Sequence, residues 1–242
     1  MPDVIQSLWI GRLTTMERLC IRSFQANGHE FHLYTYDDVG EVPSGTIIKD
    51  ANEIVPEAES KQFNCLAHVS NLFHYELLWK NGGWFVDMDV VCLRPFDFQS
   101  EYVFYRDFDE SAISCAIVKT PPNSPVMKYC VDTIRDIGPE KWKNLEYQDI
   151  GPNLTRRAVS AFGLTQFAQP GYVFDPIKWD RAAWLVQSGV RWNLTQSYAL
   201  HLFHGAWNNG HEAWAVPDSC VLKTDEKYPD GCLYEQLKRR YL

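Results

Sequence analysis

Two aspartates separated by one residue, Asp87-Met88-Asp89, close the apolar run Trp84-Phe85-Val86. Burying an unpaired carboxylate is costly, so an acidic pair at the end of a hydrophobic strand calls for a reason. In extended backbone residues 87 and 89 project to the same side. They then offer closely spaced hard oxygen ligands, the donor set that holds Mg²⁺ or Mn²⁺ together with substrate phosphates. The competing reading is an acidic surface turn, which a two-residue match alone favours. Other polar and aromatic candidates are spread along the chain. Trp9, followed by Ile10, ends the first apolar run and suits either a core position or stacking against a base. Asn71 and His74 lie one helical turn apart. Gln148 and Asp149 stand ahead of Gly151-Pro152, and His201, His204 and Trp207 fall within seven residues of one another.

The elements that position these residues follow from periodicity and breakers. Residues 4–10 read as a buried strand ending at Gly11. Thr14 or Thr15 caps a helix with Met16, Leu19, Cys20 and Phe24 at helical spacing, closed by Asn27-Gly28. Residues 31–36 alternate as a second strand, and strand, helix, strand implies a parallel pair with a crossover, the opening of an α/β sheet. Ile47-Ile48 adds a short strand, and 50–62 reads as a loop with a helical turn. A buried helix over 67–80 stops at Asn81-Gly82-Gly83, and the strand 84–86 leads into the acidic pair, with 90–93 extended beyond it. Strands over 102–104 and 113–119, a helix over 126–136 and another from Gly151-Pro152 to about 162 follow. Beyond Gly163 regular patterns thin out. No repeat, low-complexity tract or linker divides the chain, so 1–242 reads as a single catalytic domain.

Composition narrows the classes. With 45% hydrophobic and 14% aromatic residues, the chain has the material for a substantial core. A formal charge of -8 excludes the basic field that a nucleic-acid backbone needs, and an anionic ligand then requires a metal or a local set of donors. The seven cysteines are odd in number, scattered and without a CxxC pair, which suits reduced thiols; Cys220 and Cys232 are the pair that would close a loop in an oxidising compartment. Asn153-Leu-Thr and Asn193-Leu-Thr match the glycosylation pattern, which arises readily by chance. No apolar run approaches the roughly 20 residues that span a bilayer, and no signal peptide precedes the first strand. The expected location is cytoplasmic, at most peripheral at the inner face of the membrane, where Lys238, Arg239 and Arg240 exert a weak pull towards anionic lipid or are simply solvated.

From Ser70 to Val90 the helix, the Gly82-Gly83 turn, the apolar strand and the acidic pair occur in an order and spacing that resemble the DXD-containing sugar-binding region of glycosyltransferase family 32. That family includes yeast-type mannosyltransferases and α-1,4-galactosyltransferases and is related to the large clostridial glucosylating toxins. Leu8-Trp9-Ile10-Gly11 is similar to the family's first-strand motif, whose Trp in the toxins stacks on the uracil of the donor. Gly151-Pro152 resembles the start of its acceptor-side helix, and the segment from His201 to Trp207 its terminal His…Trp motif. The chain departs from the pattern at Asn71 and His74, where the family has Asp and, three positions on, Arg. Asn71 can bond a hydroxyl but carries no charge, and His74 is shorter than Arg and only partly charged at neutral pH. The departure bears on which donor is bound.

The resemblance implies a nucleotide-diphospho-sugar transferase (GT-A) fold, α/β with a mixed central sheet flanked by helices. It further implies a metal-dependent, retaining hexosyltransferase. The donor would be a nucleoside-diphosphate sugar, UDP-hexose first and GDP-mannose second, and the acceptor a glycan or glycolipid in surface-glycan (lipopolysaccharide or capsule) synthesis. Mn²⁺ or Mg²⁺ would be held by Asp89, by Asp87 directly or through water, with His201 or His204 adding a metal or diphosphate contact. Trp9 and Ile10 would hold the base, Asn71 and His74 the ribose, sugar or base, Gln148 another polar group of the substrate, and His204 with Trp207 would close over the phosphates. Asp149 would lie near the anomeric carbon, or else favour the following helix through its dipole. Two other readings use the same residues: a non-catalytic nucleotide- or glycan-binding module on this fold, and a metal-dependent phosphohydrolase.

Overall fold

In a computed structural model of the chain, which describes residues 3–108, 112–146, 148–207 and 222–242, the first helix begins where its chemistry requires. The Thr14 hydroxyl accepts the Met16 N–H, and the Glu17 carboxylate reaches back to the Thr14 N–H at 2.6 Å, a reciprocal cap that satisfies donors the helix leaves open. In chain order the elements are β1 (Ile5–Leu8), α1 (Thr15–Ala26), β2 (Phe31–Thr35), β3 (Thr46–Asp50), α2 (Glu57–Ser60), α3 (Leu66–Asn81), β4 (Gly83–Val86) and β5 (Val90–Cys92). There follow β6 (Val103–Arg106), β7 (Ile113–Thr120), α4 (Pro125–Ile137), α5 (Pro139–Trp142), α6 (Pro152–Ala161), β8 (Ala168–Gln169), β9 (Ala199–His201), α7 (His204–Trp207) and α8 (Leu233–Tyr241).

Seven strands form one sheet in the order β3-β2-β1-β4-β7-β6-β8. β1, β2, β3 and β4 run parallel, β7 is antiparallel to both β4 and β6, and β8 is parallel to β6. This is the mixed central sheet flanked by helices that the sequence implied. The chain winds outward from β1 to β3 and then returns to lay β4 on the other side of β1. Such a reversal of winding opens a crevice at the carboxyl ends of the two strands, because their connections depart to opposite sides. With Ile5 opposite Trp84 and Gln6 opposite Phe85, the segments after β1 and β4 leave the sheet side by side. One carries Trp9 and the other Asp87.

The sheet is buried on both faces, as its apolar strands demand. Phe85 joins Leu72, Phe73 and Leu77 of α3 and residues of α4 and α6 in one core cluster, whereas Trp84 and Val86 face Ile21 and Phe24 of α1 in another. α3 is apolar nearly all round and is enclosed accordingly. It ends at Gly82, with φ 64°, where a Cβ atom would come within 2.3 Å of the Pro122 nitrogen, so the turn into β4 admits only glycine. A third cluster joins Met16, Leu19 and Cys20 of α1 to Val91, Leu200, Trp207, Tyr234 and Leu237.

The third cluster takes in the apolar side of the C-terminal helix, while Arg239 and Arg240 remain exposed. Residues 233–241 are helical, Lys238 pairs with Glu235 at 2.5 Å, Arg239 donates to the Asp230 carbonyl, and the buried Tyr241 hydroxyl donates to the Cys92 carbonyl at 2.9 Å. Cys20, Cys65, Cys92, Cys115, Cys130 and Cys232 are unbridged, and Cys220 lies outside the described residues. Among the described residues no helix is long and apolar enough to cross a membrane.

Candidate active site

The acidic pair is built by a turn rather than by a continuing strand. The Asp87 N–H extends the ladder with β7 by donating to the Ala116 carbonyl at 2.8 Å, after which the Val90 N–H donates to the Asp87 carbonyl at 3.2 Å. Residues 87–89 are therefore not the extended stretch expected, and the two carboxylates approach around a bend with Met88 buried beneath it. Asp89 is fixed by a distant segment. β5 and β9 pair antiparallel, with Val90 opposite His201, and the Leu202 N–H donates to the Asp89 carbonyl at 2.8 Å. One carboxylate oxygen of Asp89 accepts the His204 N–H at 2.8 Å and faces His201 Nε2 at 3.2 Å.

The two aspartates are driven apart electrostatically. Burial, reinforced by the charge of Asp89, pushes the Asp87 carboxyl well above the usual carboxylate range, with His201 opposing. Burial acts in the same direction on Asp89, but the charge and hydrogen bond of His201 and the His204 amide outweigh it and hold Asp89 below the usual range. For His201, burial lowers the pKa, and Asp89, Asp175 and Asp87 together raise it to about 9. At neutral pH Asp89 and His201 thus form an ion pair. Asp87 has no side-chain hydrogen bond among the described residues, and its charge is destabilised by its neighbour. A hard divalent cation would relieve that repulsion, so the donor set fits Mg²⁺ or Mn²⁺. Asp87 and Asp89 would supply protein oxygens, with His201 adjacent. No group of three or more His, Cys, Asp or Glu side chains is arranged to hold a metal by itself among the described residues, so phosphate and water oxygens would have to complete the shell.

Two cavities meet at this turn. One, of about 370 Å³, is lined by Leu8, Trp9, Ile10, Leu66, Asp87, Met88, Asp89, His204 and Gly205, among others. The second, of about 350 Å³, is lined by Asn71, Asp107, Phe108, Ser114, Cys115, Gln148, Asp175, Lys178, Trp179, His201 and further residues. Ala67, Ser70 and Asp87 belong to both walls, so the cleft has two lobes with Asp87 at the join. In the first lobe the half-buried Trp9 is oriented by an indole N–H bond to the Arg12 carbonyl (3.3 Å), its ring centroid 5.8 Å from that of His204. In the second, Asn71 packs against Gly151, where a Cβ would lie 3.0 Å from the Asn71 amide nitrogen. The glycine of the Gly-Pro pair therefore makes room for the Asn71 side chain.

The cleft brings together eight of the residues singled out from the sequence: Trp9, Ile10, Asn71, Asp87, Asp89, Gln148, His201 and His204. Three others lie elsewhere. His74 is buried in the core between Tyr75 and Phe85, with ring centroids 4.1 and 4.9 Å away, and burial lowers its pKa to about 3 against a small opposing pull from the Ser70 backbone. Its ring packs on Phe85 of the sheet rather than lining the cleft. Trp207 is wholly buried on Tyr234 at 4.8 Å, and its indole N–H is satisfied by the Leu202 carbonyl at 2.8 Å, so it lines neither lobe. Asp149 is exposed and accepts the Glu146 N–H at 2.8 Å, closing the turn ahead of α6.

The sequence reading missed the far wall of the second lobe. Asp107, Asp175, Lys178 and Trp179 come from short irregular stretches in which no period marks a face. Asp175 is the most telling of them. It is 5% exposed, one of its oxygens has no hydrogen-bond partner among the described residues, and burial pushes it up to about 7, with His201 opposing and Asp107 and Asp89 reinforcing. A signal was present in Tyr172-Val173-Phe174-Asp175-Pro176-Ile177, where a lone acid interrupts an apolar run.

Residues 18–105 match the model of a glycosyltransferase sugar-binding region containing the DXD motif. Among solved structures, the chain is similar to the PaToxG glycosyltransferase at 16% identity, covering 66% of this chain and 69% of that one with a TM-score of 0.48. It is also similar to the ligand-free glycosyltransferase domain from the YGT toxin at 8% identity, covering 75% and 85% with a TM-score of 0.49. No protein of curated function matches the sequence significantly.

Proposed function

We propose that the chain is a metal-dependent glycosyltransferase of the GT-A type, which moves a hexose from a nucleoside-diphosphate sugar to an acceptor hydroxyl with retention of configuration. The observation that carries this reading is the pair of lobes joined at Asp87: each has the volume of one ring system of such a donor, and the acidic turn between them lies where the diphosphate would span. The match of 18–105 to the DXD sugar-binding region supports it. The geometry favours transfer over simple phosphate-ester hydrolysis, since a phosphohydrolase needs no second, sugar-sized lobe.

In this mechanism Trp9 stacks on the base and Ile10 completes the apolar floor of the first lobe. A Mn²⁺ or Mg²⁺ ion held by Asp87 and Asp89 would neutralise charge on the diphosphate leaving group. Asp89 is held for that task by the His204 amide and His201, so its carboxylate cannot swing away. Asn71 and Gln148 offer amide groups to the hydroxyls in the second lobe. At the mouth of that lobe Phe108 and Trp179 are 44% and 36% exposed, apolar faces suited to the ring of a glycan acceptor. UDP-hexoses are the first donors to try and GDP-mannose the second. The acceptor class proposed is a surface-glycan precursor on the cytoplasmic side of a membrane.

The test is release of nucleoside diphosphate from a panel of UDP-hexoses and GDP-mannose, with Mn²⁺ present or chelated. One donor should be turned over only with metal, and Asp89→Ala should lower that turnover by at least about 100-fold while leaving the melting temperature within a few degrees. Undiminished turnover by the variant sinks the assignment. Binding of a donor without any turnover would indicate a binding module, and cleavage of simple phosphate esters a phosphohydrolase.

A further inference from the structure

The wall of the second lobe contains a buried polar oxygen with no hydrogen-bond partner among the described residues. Asp175 follows the turn 171–173, and its backbone N–H is tied to the Gly171 carbonyl at 2.7 Å, so the position of the residue is set by the chain. Gly171 in turn packs so closely on Asp107 that a Cβ there would lie 2.5 Å from the Asp107 carbonyl oxygen. The stretch is thus clamped to the end of β6. The Asp175 side chain is nonetheless left with an unsatisfied oxygen at the cavity wall, although 95% of the residue is removed from solvent. Nearby, the buried Tyr105 hydroxyl sits beside Ser114. A buried acceptor without a donor is costly, and in a native protein it is retained where something else supplies the donor.

We propose that Asp175 is a specificity-determining residue of the sugar lobe, accepting a hydrogen bond from a hydroxyl of a neutral hexose. This inference rests on the donor reading above and specifies its substrate class. A sugar hydroxyl, which can both donate and accept, matches Asp175 whether its carboxyl is ionised or protonated. A deoxy carbon at the same position leaves Asp175 unpaired. A uronic-acid carboxylate turned towards this wall meets Asp175 and Asp107 and is repelled. Discrimination of this kind is strong because the penalty falls on a protein group that cannot reach water.

The experiment is titration calorimetry of the full chain with Mn²⁺, using UDP, GDP, UDP-glucose, UDP-galactose, UDP-glucuronic acid and GDP-mannose. Wild-type protein is compared with Asp175→Asn, which keeps the shape, and Asp175→Ala. The neutral sugar nucleotide that wild type binds more tightly than its free nucleoside diphosphate should bind about 10- to 100-fold more weakly to Asp175→Ala, since hydrogen bonds to charged groups are of that strength. Free nucleoside diphosphate should change by less than about twofold, since it does not reach this lobe. A monodeoxy version of the same sugar lacking the contacted hydroxyl should bind both proteins alike. A sugar-dependent gain that both variants retain overturns the inference and leaves the transferase reading standing. Equal weakening of sugar nucleotide and free nucleotide also overturns it, by assigning Asp175 a structural role. If no neutral sugar nucleotide binds wild type better than its free nucleotide, the donor reading fails and the inference fails with it.

Discussion

Replacing His74 with leucine should remove a specific acid sensitivity from the protein while leaving ligand binding intact. The ring is packed between Tyr75 and Phe85 and is 1% exposed, and burial depresses its pKa from 6.5 to about 3. Above pH 6.5 the histidine is neutral in both folded and unfolded chains and titration contributes nothing. Between pH 6.5 and pH 3 the unfolded chain takes up a proton that the folded one refuses, so stability falls as pH falls. Each pH unit in that window costs about 1.4 kcal/mol, so the loss from this group alone reaches about 2 kcal/mol at pH 5. Set against a typical stability of about 5–15 kcal/mol, this is readily measured. Urea titrations followed by tryptophan fluorescence at pH 7.5 and pH 5.0, on wild type and His74→Leu, give the difference of differences, in which the other titrating groups cancel. Wild type should lose about 2 kcal/mol more than the variant between the two pH values. Equal losses would refute the core placement of the ring. So would a tenfold fall in nucleoside-diphosphate affinity of the variant at pH 7.5, because a residue facing the sheet cannot touch the ligand.

Trp9→Ala should weaken binding of nucleoside diphosphate by about 5- to 100-fold, the worth of one aromatic stack on a base, while inorganic diphosphate is bound as before; calorimetry with both ligands tests this. Gly82→Ala should destabilise the fold by at least about 2 kcal/mol, since the new methyl group must sit at φ 64° and within 2.3 Å of the Pro122 nitrogen. An unchanged urea midpoint would show that the α3–β4 turn relaxes freely.

The elements around the acidic pair were legible because each is announced locally. Thr14 with Glu17 spells out a capping box, Asn27-Gly28 a stop, and Asn81-Gly82-Gly83 the break between a buried helix and a buried strand. The strand ends that carry Trp9 and Asp87 were therefore placed correctly, although only the strand order shows that they emerge side by side. What local signals could not give was the direction of a side chain within a helix enclosed on most sides. Asn71 and His74 are separated by three positions, and α3 is apolar on so many faces that periodicity does not distinguish cleft from core. The same ambiguity hid Trp207, for an indole in a loop-rich stretch suits a lid as well as a core. The wall containing Asp107, Asp175 and Trp179 was missed because it is held by backbone contacts between β6 and the turn at Gly171, which involve no repeating pattern. α8 was passed over because its basic residues dominate a helix of nine residues whose buried positions are Leu233, Tyr234, Glu235, Leu237 and Tyr241.

The tie between β5 and β9 has a consequence in time. Asp87 is secured through its backbone to Ala116, only 29 positions later, whereas the partners of Asp89 are His201, Leu202 and His204, more than 110 positions away. A ribosome adding about 5–20 residues per second takes roughly 4–17 seconds to travel the 85 residues from Ala116 to His201. For that interval the side-chain and backbone partners that hold Asp89 in the folded protein do not yet exist. The two ends of the acidic turn are thus tied to pieces of chain that are synthesised at different times.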